Sequence, residues 1–245
     1  MKQITSLQND EVKLVVQLCK ESRERHSQKL FVAEGLRTCS TLIESNVRLV
    51  QLYCVYNQVD KIESLCDEEF VTVVSEAVMN KMSPSTSPSG ILAVFEMPEP
   101  KKELSTGIVL AQIADPGNMG TLIRTCAAMG KKTLVIVEGT DVFGPKVIQA
   151  SAGTIGFVNI IQCTWDELLK LKKEMPFYGL VVEGGKEIAP IKEDHLLVIG
   201  NEAHGIPTDW QENCDQLITL SMPGKTESLN AAIAGSIAMY VGWAQ

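Results

Sequence analysis

The 245-residue sequence is poor in aromatic residues, at 5%, and contains three histidines. Its seven cysteines form no Cys-x-x-Cys pair and are odd in number, which argues against a disulfide framework and favours a reducing compartment. No run reaches the roughly 18 apolar residues that a membrane span needs, and the first residues lack the apolar core of a secretory signal. We therefore expect a cytoplasmic protein that has no membrane partner.

Several motifs of common enzymes are also missing. The sequence has no G-x-G-x-x-G after a strand, no G-x-x-x-x-G-K-[ST] and no G-x-S-x-G, which weakens dinucleotide-binding, Walker-type and hydrolase interpretations. His195 and His204 lie near each other in sequence, but no set of residues has the spacing of a zinc site. We expect no metal ion.

The composition is that of a globular protein with an acidic balance. Hydrophobic residues make up 45% and charged residues 21%, and the mean hydropathy is +0.08. The net charge of -8 would repel nucleic acids from the molecule as a whole. Residues 1–58, however, contain 8 Lys+Arg and 6 Asp+Glu, so the basic excess is local.

The pattern of elements predicts two domains, 1–100 and 101–245. Pro98 and Pro100 disfavour both helix and strand, so we place the boundary there. Before it, helical and strand-like segments mix in a small α/β module. After it, short apolar strands alternate with helices, which is typical of a Rossmann-like parallel sheet covered on both faces. Ligands of such sheets bind at the carboxyl ends of the strands.

The first unusual turn after a strand is DPGNMGTLIRT, which begins at Asp115. Asn118 is predicted to cap a helix that runs from about Met119 to Met129, and Arg124 lies about one and a half turns along it. The neighbouring residues of this helix are apolar, so the charge is expected to need a partner. A capped helix with a surface arginine is the plain structural alternative.

Two further turns combine glycine with polar residues. In VIGNEAHGIP, Gly200 and Gly205 bracket Glu202, so the backbone can approach a ligand closely. In LSMPGKTESLN, residues 225–228 are predicted to form a polar loop, and Asn230 to cap the last helix. A solvated loop and a tightly packed terminal helix remain the structural alternatives. That helix has a face of small residues, Ala231, Ala234, Gly235 and Ala238.

Together these three turns resemble the signature motifs of the SpoU, or TrmH-like, branch of the SPOUT RNA methyltransferases. The resemblance covers residues 105–245. FVAEGLRTCSTLIES and SPSGILAVF are similar to the small α/β, ribosomal L30e-like substrate-binding domain that often precedes the catalytic one. The resemblance implies a parallel sheet with a C-terminal trefoil knot, which is an exception to the rule against threaded chains.

The resemblance also implies methyl transfer from S-adenosylmethionine to a ribose 2′-hydroxyl of RNA. The family is typically homodimeric, and the last helix and the helix at Asn118 would suit the dimer interface. Arg124 would anchor a phosphate and stabilise the alkoxide, because a guanidinium is a poor base. Asn118 would orient Arg124 or the ribose. The resemblance further implies a polar wall around the reacting atoms, formed by Glu202, Ser228 and Asn230. It implies contacts with the cofactor from Gly200, Leu220, Met222 and Leu229.

The sequence departs from the family pattern at two places. Where the family usually has V-S-V-A after the last motif, this chain has alanine, alanine, isoleucine and alanine at 231–234. Ala203 and His204 stand where a glycine and a variable residue are common. Since the other polar residues remain, an active enzyme is the first hypothesis.

Three alternatives stay open at this point. Ribosomal RNA is the first substrate hypothesis and transfer RNA the second. An RNA-binding member of the fold that does not catalyse is another, and a nucleotide-dependent enzyme on a Rossmann sheet is the last. Contact with RNA is expected at the basic residues Lys2, Lys13, Lys20, Arg23, Arg25, Lys29, Arg37 and Arg48.

Overall fold

The computed structural model describes residues 1–224 and 228–243. Most of the polar loop predicted at 225–228 therefore lies outside the described residues, and only Ser228 belongs to them. No helix in the described ranges is long and apolar enough to cross a membrane. All seven cysteines are free thiols.

The chain divides into two compact units, which we call unit 1 and unit 2. They comprise Met1–Glu99 with Asp141–Gly156, and Pro100–Thr140 with Phe157–Gln245. The boundary near residue 100 stays a prediction. Segment 141–156, which that prediction assigned to the second domain, packs with the N-terminal residues of unit 1.

Unit 1 contains a mixed sheet with the strand order β1-β4-β3-β5-β2. β5 is antiparallel to β2 and β3, and the other pairs are parallel. The helix predicted from apolar spacing forms, and it buries Val12, Val15 and Leu18. The elements before residue 100 are β1 (Lys2–Ile4), α1 (Asp10–Lys20), α2 (Ser22–Gln28), β2 (Leu30–Glu34), α3 (Leu36–Glu44), β3 (Leu49–Val55), α4 (Val59–Ile62), β4 (Val71–Val74), α5 (Glu76–Met82) and β5 (Ile91–Glu96).

The sheet of unit 2 has seven parallel strands within the described residues, in the order β10-β12-β9-β11-β6-β7-β8. Every residue of β6, β7 and β11 is buried, as expected for a parallel sheet covered on both faces. The elements are β6 (Gly107–Ala111), α6 (Pro116–Ala128), β7 (Thr133–Val137), α7 (Pro145–Ala150, in unit 1), β8 (Asn159–Gln162), α8 (Trp165–Lys172), β9 (Phe177–Leu180), β10 (Lys186–Glu187), β11 (Leu196–Ile199), α9 (Thr208–Gln211), β12 (Gln216–Thr219) and α10 (Ala231–Trp243).

The small residues of α10 allow it to pack closely inside unit 2. A Cβ at Gly235 would lie 2.6 Å from Leu122 Cδ2 and 2.7 Å from Ile199 Cδ1, so a larger residue would require these side chains between α6 and β11 to shift. Ala238 on the same face is buried. Gly235 and Ala238 therefore pack within their own chain, as in the alternative of a tightly packed terminal helix, and the homodimer that the last helix would suit stays a prediction.

Candidate functional site

Three polar turns meet at one edge of the unit 2 sheet. They follow β6, β11 and β12, and β6 and β11 are adjacent parallel strands. Because the carboxyl ends of parallel strands lie at the same edge, the three motif-bearing turns converge there. The predicted site residues come from these turns and from the helices that follow them.

The loop after β11 is closed by a backbone bridge. Asn201 N donates to Gly205 O at 3.0 Å, and Gly205 N donates to Asn201 O at 2.9 Å. A Cβ at Gly200 would lie 2.2 Å from the carbonyl carbon of Gly205, and Gly205 itself has a φ of +69°. Both positions therefore require glycine, one for a close approach and the other for its backbone conformation.

Asn201 fixes the shape of this loop, a role that was not predicted from the sequence. Its side-chain oxygen accepts hydrogen bonds from the backbone N–H groups of Ala203 at 2.9 Å and His204 at 3.2 Å. Its amide nitrogen donates to Gln112 O at 2.8 Å, which links the loop after β11 to the turn after β6. An asparagine that follows a buried strand and opens a turn was the signal for the two bonds within the loop, to Ala203 and His204.

Glu202 joins the loop after β11 to the start of α6. Its carboxylate accepts hydrogen bonds from Ala114 N at 3.2 Å, Asp115 N at 3.1 Å and Asn118 Nδ2 at 2.9 Å. Partial burial acts to raise the pKa of Glu202, but the hydrogen bonds from Asn118 and the backbone outweigh it and hold the pKa below its ordinary value. Glu202 is therefore an ionised hydrogen-bond acceptor at neutral pH.

Asn118 connects Glu202 to the last helix. Asn230 Nδ2 donates to Asn118 Oδ1 at 3.0 Å, and Asn230 Oδ1 caps α10 by accepting from Ala232 N at 2.9 Å. The prediction that Asn230 caps a helix is confirmed. A chain of side-chain hydrogen bonds thus joins residues from all three motifs.

The prediction that Asn118 caps α6 is wrong. The cap is Asp115, whose side chain accepts from Asn118 N at 2.8 Å, and Pro116 occupies the first turn. Aspartate caps well, and proline suits the first helical turn, so the helix begins three residues before Met119. Asn118 is left with its side chain free to bind Glu202.

Arg124 lies on the exposed side of α6. No salt bridge joins it to an acidic residue in the ranges 1–224 and 228–243. The expectation that this charge needs a partner is not met within the described residues, and the plain alternative of a surface arginine holds, because Leu122 and Ile123 face inward while Arg124 faces solvent. The described residues show no hydrogen bond from Asn118 to Arg124.

A cavity of about 410 Å³ opens beside this network. Its wall includes Ile199, Ile206 and Leu180, which are apolar, and it lies within the size range of about 300–1,000 Å³ that is usual for small-molecule sites. Asn118, Arg124 and Asn230 are not among its wall residues. The predicted site residues that do line it are Gly200, Glu202, Leu220, Met222, Ser228 and Leu229.

The sequence matches the SpoU rRNA Methylase family over residues 105–240, which is more than half of the chain. The chain belongs to this family. Residues 9–93 match the MRM3-like substrate binding domain, so the N-terminal resemblance is confirmed as well. The three motifs that carried the resemblance lie within the matched part of this SpoU methylase.

Known relatives extend over nearly the whole SpoU methylase. The chain is 30% identical over 247 residues to the 23S rRNA (guanosine(2553)-2'-O)-methyltransferase RlmP of Bacillus subtilis, with 98% of each chain covered. It is 25% identical to the AdoMet-bound rRNA methyltransferase from Sinorhizobium meliloti, with a TM-score of 0.84 and with 98% and 96% of the two chains covered. The SpoU methyltransferase AviRb from Streptomyces viridochromogenes, solved with AdoMet, shares the fold at 21% identity and a TM-score of 0.84, with 96% and 97% covered.

The cavity of the SpoU methylase suits a cofactor that is held by main-chain groups and apolar side chains. All four residues that the resemblance assigned to the cofactor line it, and Gly200, Leu220 and Met222 lie in the turns that follow β11 and β12. The wall has apolar side chains for a flat ring and the Glu202 carboxylate at a polar side. These residues fit S-adenosylmethionine in size and chemistry.

Proposed function

We propose that this SpoU methylase transfers a methyl group from S-adenosylmethionine to a ribose 2′-hydroxyl of ribosomal RNA. The observation that carries the proposal is the hydrogen-bonded chain of Glu202, Asn118 and Asn230 beside the cavity. Membership of the family and the printed activity of the Bacillus subtilis relative support it. An RNA substrate also agrees with the N-terminal match to a substrate binding domain.

Gly200, Leu220, Met222 and Leu229 would hold the cofactor. When bound, S-adenosylmethionine supplies an electrophilic methyl group on its sulfonium. Gly200 belongs to the closed loop and keeps the backbone close to the cavity, while the three larger residues contribute apolar walls. Ser228 supplies a hydroxyl at the same wall. The role of these residues is to fix the direction of the methyl group.

The amide of Asn118 is held in one orientation by its two partners. Its Nδ2 donates to Glu202 and its Oδ1 accepts from Asn230, so the amide cannot flip without losing both bonds. An asparagine amide has two N–H donors, and one of them is left to face the substrate. We assign to this N–H the orientation of the ribose hydroxyl, with Glu202 as the positioning residue.

Arg124 would supply a positive charge to the site. An exposed guanidinium can bind an RNA phosphate with two parallel hydrogen bonds and can stabilise the oxygen as it loses its proton. Glu202 has a pKa below its ordinary value and is therefore a weak base. The proton accordingly passes to water at this solvent-facing position, and Arg124 stabilises the oxyanion.

The last helix also supports the proposal of a homodimer. Ile233, Ile237 and Tyr240 are 53%, 40% and 66% exposed and recur at intervals of four and three residues, so they form one apolar stripe on α10. A second copy of the chain is the occupant that we propose for this stripe. An rRNA substrate and seven free thiols both agree with a cytoplasmic setting.

Transfer of labelled methyl groups to unmethylated 23S rRNA tests the proposal. We expect incorporation that depends on the protein, and nuclease digestion should recover the label as one 2′-O-methylated nucleoside. Calorimetry should show binding of S-adenosylmethionine alone. Cofactor binding without transfer to ribosomal or transfer RNA would favour the non-catalytic alternative, and label on a base instead of a ribose would contradict the proposal.

A further inference from the structure

Glu183 is a second carboxylate on the wall of the cofactor cavity, and none of the three motifs contains it. It is exposed, and it forms no salt bridge with any residue of the described ranges. The Glu202 carboxylate, by contrast, already accepts from Ala114 N, Asp115 N and Asn118 Nδ2. Of the two carboxylates, Glu183 is therefore the one that is available to a ligand.

The turn that carries Glu183 is attached to the end of β12. The carbonyl of Val182 accepts a hydrogen bond from Thr219 Oγ1 at 2.8 Å, and Thr219 is itself part of the cavity wall. A Cβ at Gly185 would lie 2.6 Å from the carbonyl carbon of Ile218, so the chain that follows Glu183 passes directly against the β12 backbone. These contacts on both sides of Glu183 hold its backbone beside the cavity.

Glu183 lies on the side of the cavity away from the hydrogen bond between Glu202 and Asn118. It follows β9, whereas Asn118 follows the start of α6 after β6, and the strands β9 and β6 lie on either side of β11. Neighbouring strands are about 4.8 Å apart, so β9 and β6 are separated by about 10 Å. The proposed function places the reacting methyl group beside Asn118 and Glu202. Glu183 is therefore placed at a part of the cofactor that does not react.

The wall near Glu183 suits a nucleoside. Leu180, at the end of the same strand, and Ile206, in the loop after β11, are apolar wall residues against which a flat base can lie. In parallel sheets that bind dinucleotides, an acidic residue accepts a hydrogen bond from the ribose that carries the base. A carboxylate has two acceptor oxygens, which match the neighbouring 2′- and 3′-hydroxyls of a ribose. The ribose is therefore the group that Glu183 is suited to bind.

The charge of the wall favours a ligand without phosphate groups. Glu183 and Glu202 are both acidic, and the wall residues within the described part of the chain include no lysine or arginine. Carboxylates repel phosphates at short range, whereas neutral hydroxyls can donate hydrogen bonds to them. A phosphorylated nucleotide therefore fits this wall poorly, and an adenosine group with free ribose hydroxyls fits it well.

We propose that the Glu183 carboxylate accepts hydrogen bonds from the 2′- and 3′-hydroxyls of the cofactor ribose. In this role Glu183 holds the nucleoside end of S-adenosylmethionine, while Glu202 and Asn118 act at the end where the methyl group is transferred. The proposal rests on the proposed function, since it specifies how that cofactor is held, and it adds a residue that lies outside the three motifs.

Calorimetry with S-adenosylhomocysteine tests this assignment, because this product keeps the ribose and has no methyl group to transfer. Glu183→Ala should weaken its binding about tenfold, the lower end for hydrogen bonds to a charged group, since the carboxylate is exposed. The 2′-deoxy form of S-adenosylhomocysteine should bind the wild type more weakly than the parent compound. The two ligands should bind Glu183→Ala with equal affinity, because the acceptor of the 2′-hydroxyl is then absent.

Glu187→Ala is the matched control, because it removes an exposed carboxylate from the next strand, β10, and Glu187 is not a wall residue of the cavity. It should bind both ligands like the wild type, and the melting temperatures of both variants should stay unchanged. Wild-type affinity in Glu183→Ala or an equal loss in Glu187→Ala would overturn the assignment. So would a preference for S-adenosylhomocysteine over its 2′-deoxy form that persists undiminished in Glu183→Ala, because the carboxylate would then act on another part of the cofactor.

The two proposals fail in different ways. Binding of S-adenosylhomocysteine that is indifferent to Glu183→Ala overturns the assignment of Glu183 and leaves the proposed function standing. Binding that depends on Glu183, in a protein that transfers no methyl group to RNA, does the reverse. A protein that binds no S-adenosylhomocysteine overturns both.

Discussion

Glu202 joins the turn after β6 to the loop after β11 through its hydrogen bonds. Its carboxylate accepts from two backbone N–H groups and from Asn118, and these bonds lower its pKa. In the unfolded chain, Glu202 has the ordinary pKa of 4.5, and in the folded protein its pKa is lower. The stability that this carboxylate contributes is therefore complete above 4.5 and is lost as the pH falls from 4.5 through the folded pKa. From neutral pH down to about 5, we therefore expect no change in activity that is due to Glu202.

Glu202→Gln is expected to slow methyl transfer. The glutamine amide would place an N–H group against a backbone N–H or the Asn118 N–H, and one hydrogen bond would be lost. Because Glu202 is partly exposed, we expect a cost at the lower end of the range for hydrogen bonds to charged groups, about 1.5 kcal/mol, which is a tenfold loss of rate. Single-turnover transfer to 23S rRNA measures this. Wild-type turnover in Glu202→Gln would contradict its positioning role, and unchanged cofactor binding serves as the control.

Arg124→Ala is expected to abolish transfer while the fold and the cofactor affinity are kept. Loss of one donor to a developing oxyanion typically lowers kcat about 10²- to 10³-fold. Since Arg124 is exposed and its removal leaves no buried acid unpaired, the melting temperature should stay the same. Kinetics, calorimetry and thermal unfolding measure the three quantities, and Arg124→Lys tests whether charge alone is enough. Turnover equal to the wild type would refute the role of Arg124.

At this scale the sequence predicted which residues meet better than how they are bonded. Gly200, Leu220, Met222 and Leu229, which the family resemblance assigned to the cofactor, line one cavity. The prediction that Asn118 caps α6 was wrong, because Asp115 followed by Pro116 is a stronger local signal for the start of a helix than Asn118. The role of Asn201 depends on Gln112, which lies 89 residues away, and such a contact has no local signature. The functional roles of all these residues stay predictions.

Helix α10 is fastened at its C-terminal end by a buried histidine. Trp243 Nε1 donates to His195 Nε2 at 2.8 Å, and His195 Nδ1 lies 2.8 Å from Glu193 O. Both contacts are satisfied when the ring is neutral and carries its proton on Nδ1. Burial lowers the pKa of His195 against the raising effects of Glu193 and Asp194, and Lys131 adds to the lowering.

The stability of the protein should fall as the pH drops below 6.5. Because the folded pKa of His195 is lower than the ordinary value of 6.5, its contribution is complete above that value and is lost as the unfolded chain takes up a proton. Urea unfolding between pH 7 and pH 5 measures the slope. His195→Gln keeps an acceptor for Trp243 but cannot titrate, so it should flatten the part of the slope that His195 causes. An identical slope in both proteins would contradict this explanation.

The elements themselves were largely predictable. Apolar runs such as Leu134 to Val137 are buried throughout, and their length and β-branched residues distinguish them from helices. The short strand β10, Lys186–Glu187, was not predicted, because a segment of two polar residues shows no hydrophobic periodicity. The small face of α10 predicted close packing as one alternative but not its neighbours, since Leu122 and Ile199 lie in distant elements.

At the scale of the whole molecule, the ion pair between Arg25 and Asp141, which are 116 positions apart in the sequence, holds segment 141–156 in unit 1. Arg25 Nε and Nη2 donate to Asp141 Oδ2 at 2.8 and 2.6 Å, and Nη1 donates to Leu18 O at 2.7 Å. The side chains are 6% and 15% exposed. Burial acts to raise the pKa of Asp141, but hydrogen bonds from Ser22 and Arg25 outweigh it and leave the pKa lowered.

Arg25→Ala should destabilise the protein by about 3 kcal/mol, the lower end for a broken buried pair, since Asp141 keeps some access to water. Arg23→Ala, at an exposed arginine two residues earlier, should change stability by less than about 0.5 kcal/mol. Adding Asp141→Ala to Arg25→Ala should recover part of the loss, because no unpaired carboxylate then remains. Urea midpoints measure all three, and equal midpoints for Arg25→Ala and Arg23→Ala would contradict the prediction.

The parallel sheet of unit 2 and the N-terminal α/β module followed from periodicity alone. The attachment of residues 141–156 to unit 1 did not, because it depends on a charge pair that no local pattern indicates. The trefoil knot stays a prediction, since strand order and register do not define how a chain is threaded. The SpoU rRNA Methylase family match covers residues 105–240. The identity of the methylated nucleotide could not be predicted from the sequence, because it is a property of the complex with RNA.

A map of ribose methylation in total RNA tests the central claim most directly. Cells that lack the protein, cells with the wild type and cells with Arg124→Ala would be compared at every nucleotide. The account predicts that one 2′-O-methyl group of ribosomal RNA is lost without the protein, is restored by the wild type and is not restored by Arg124→Ala. An rRNA map that is identical in all three would contradict it, and so would full restoration by Arg124→Ala.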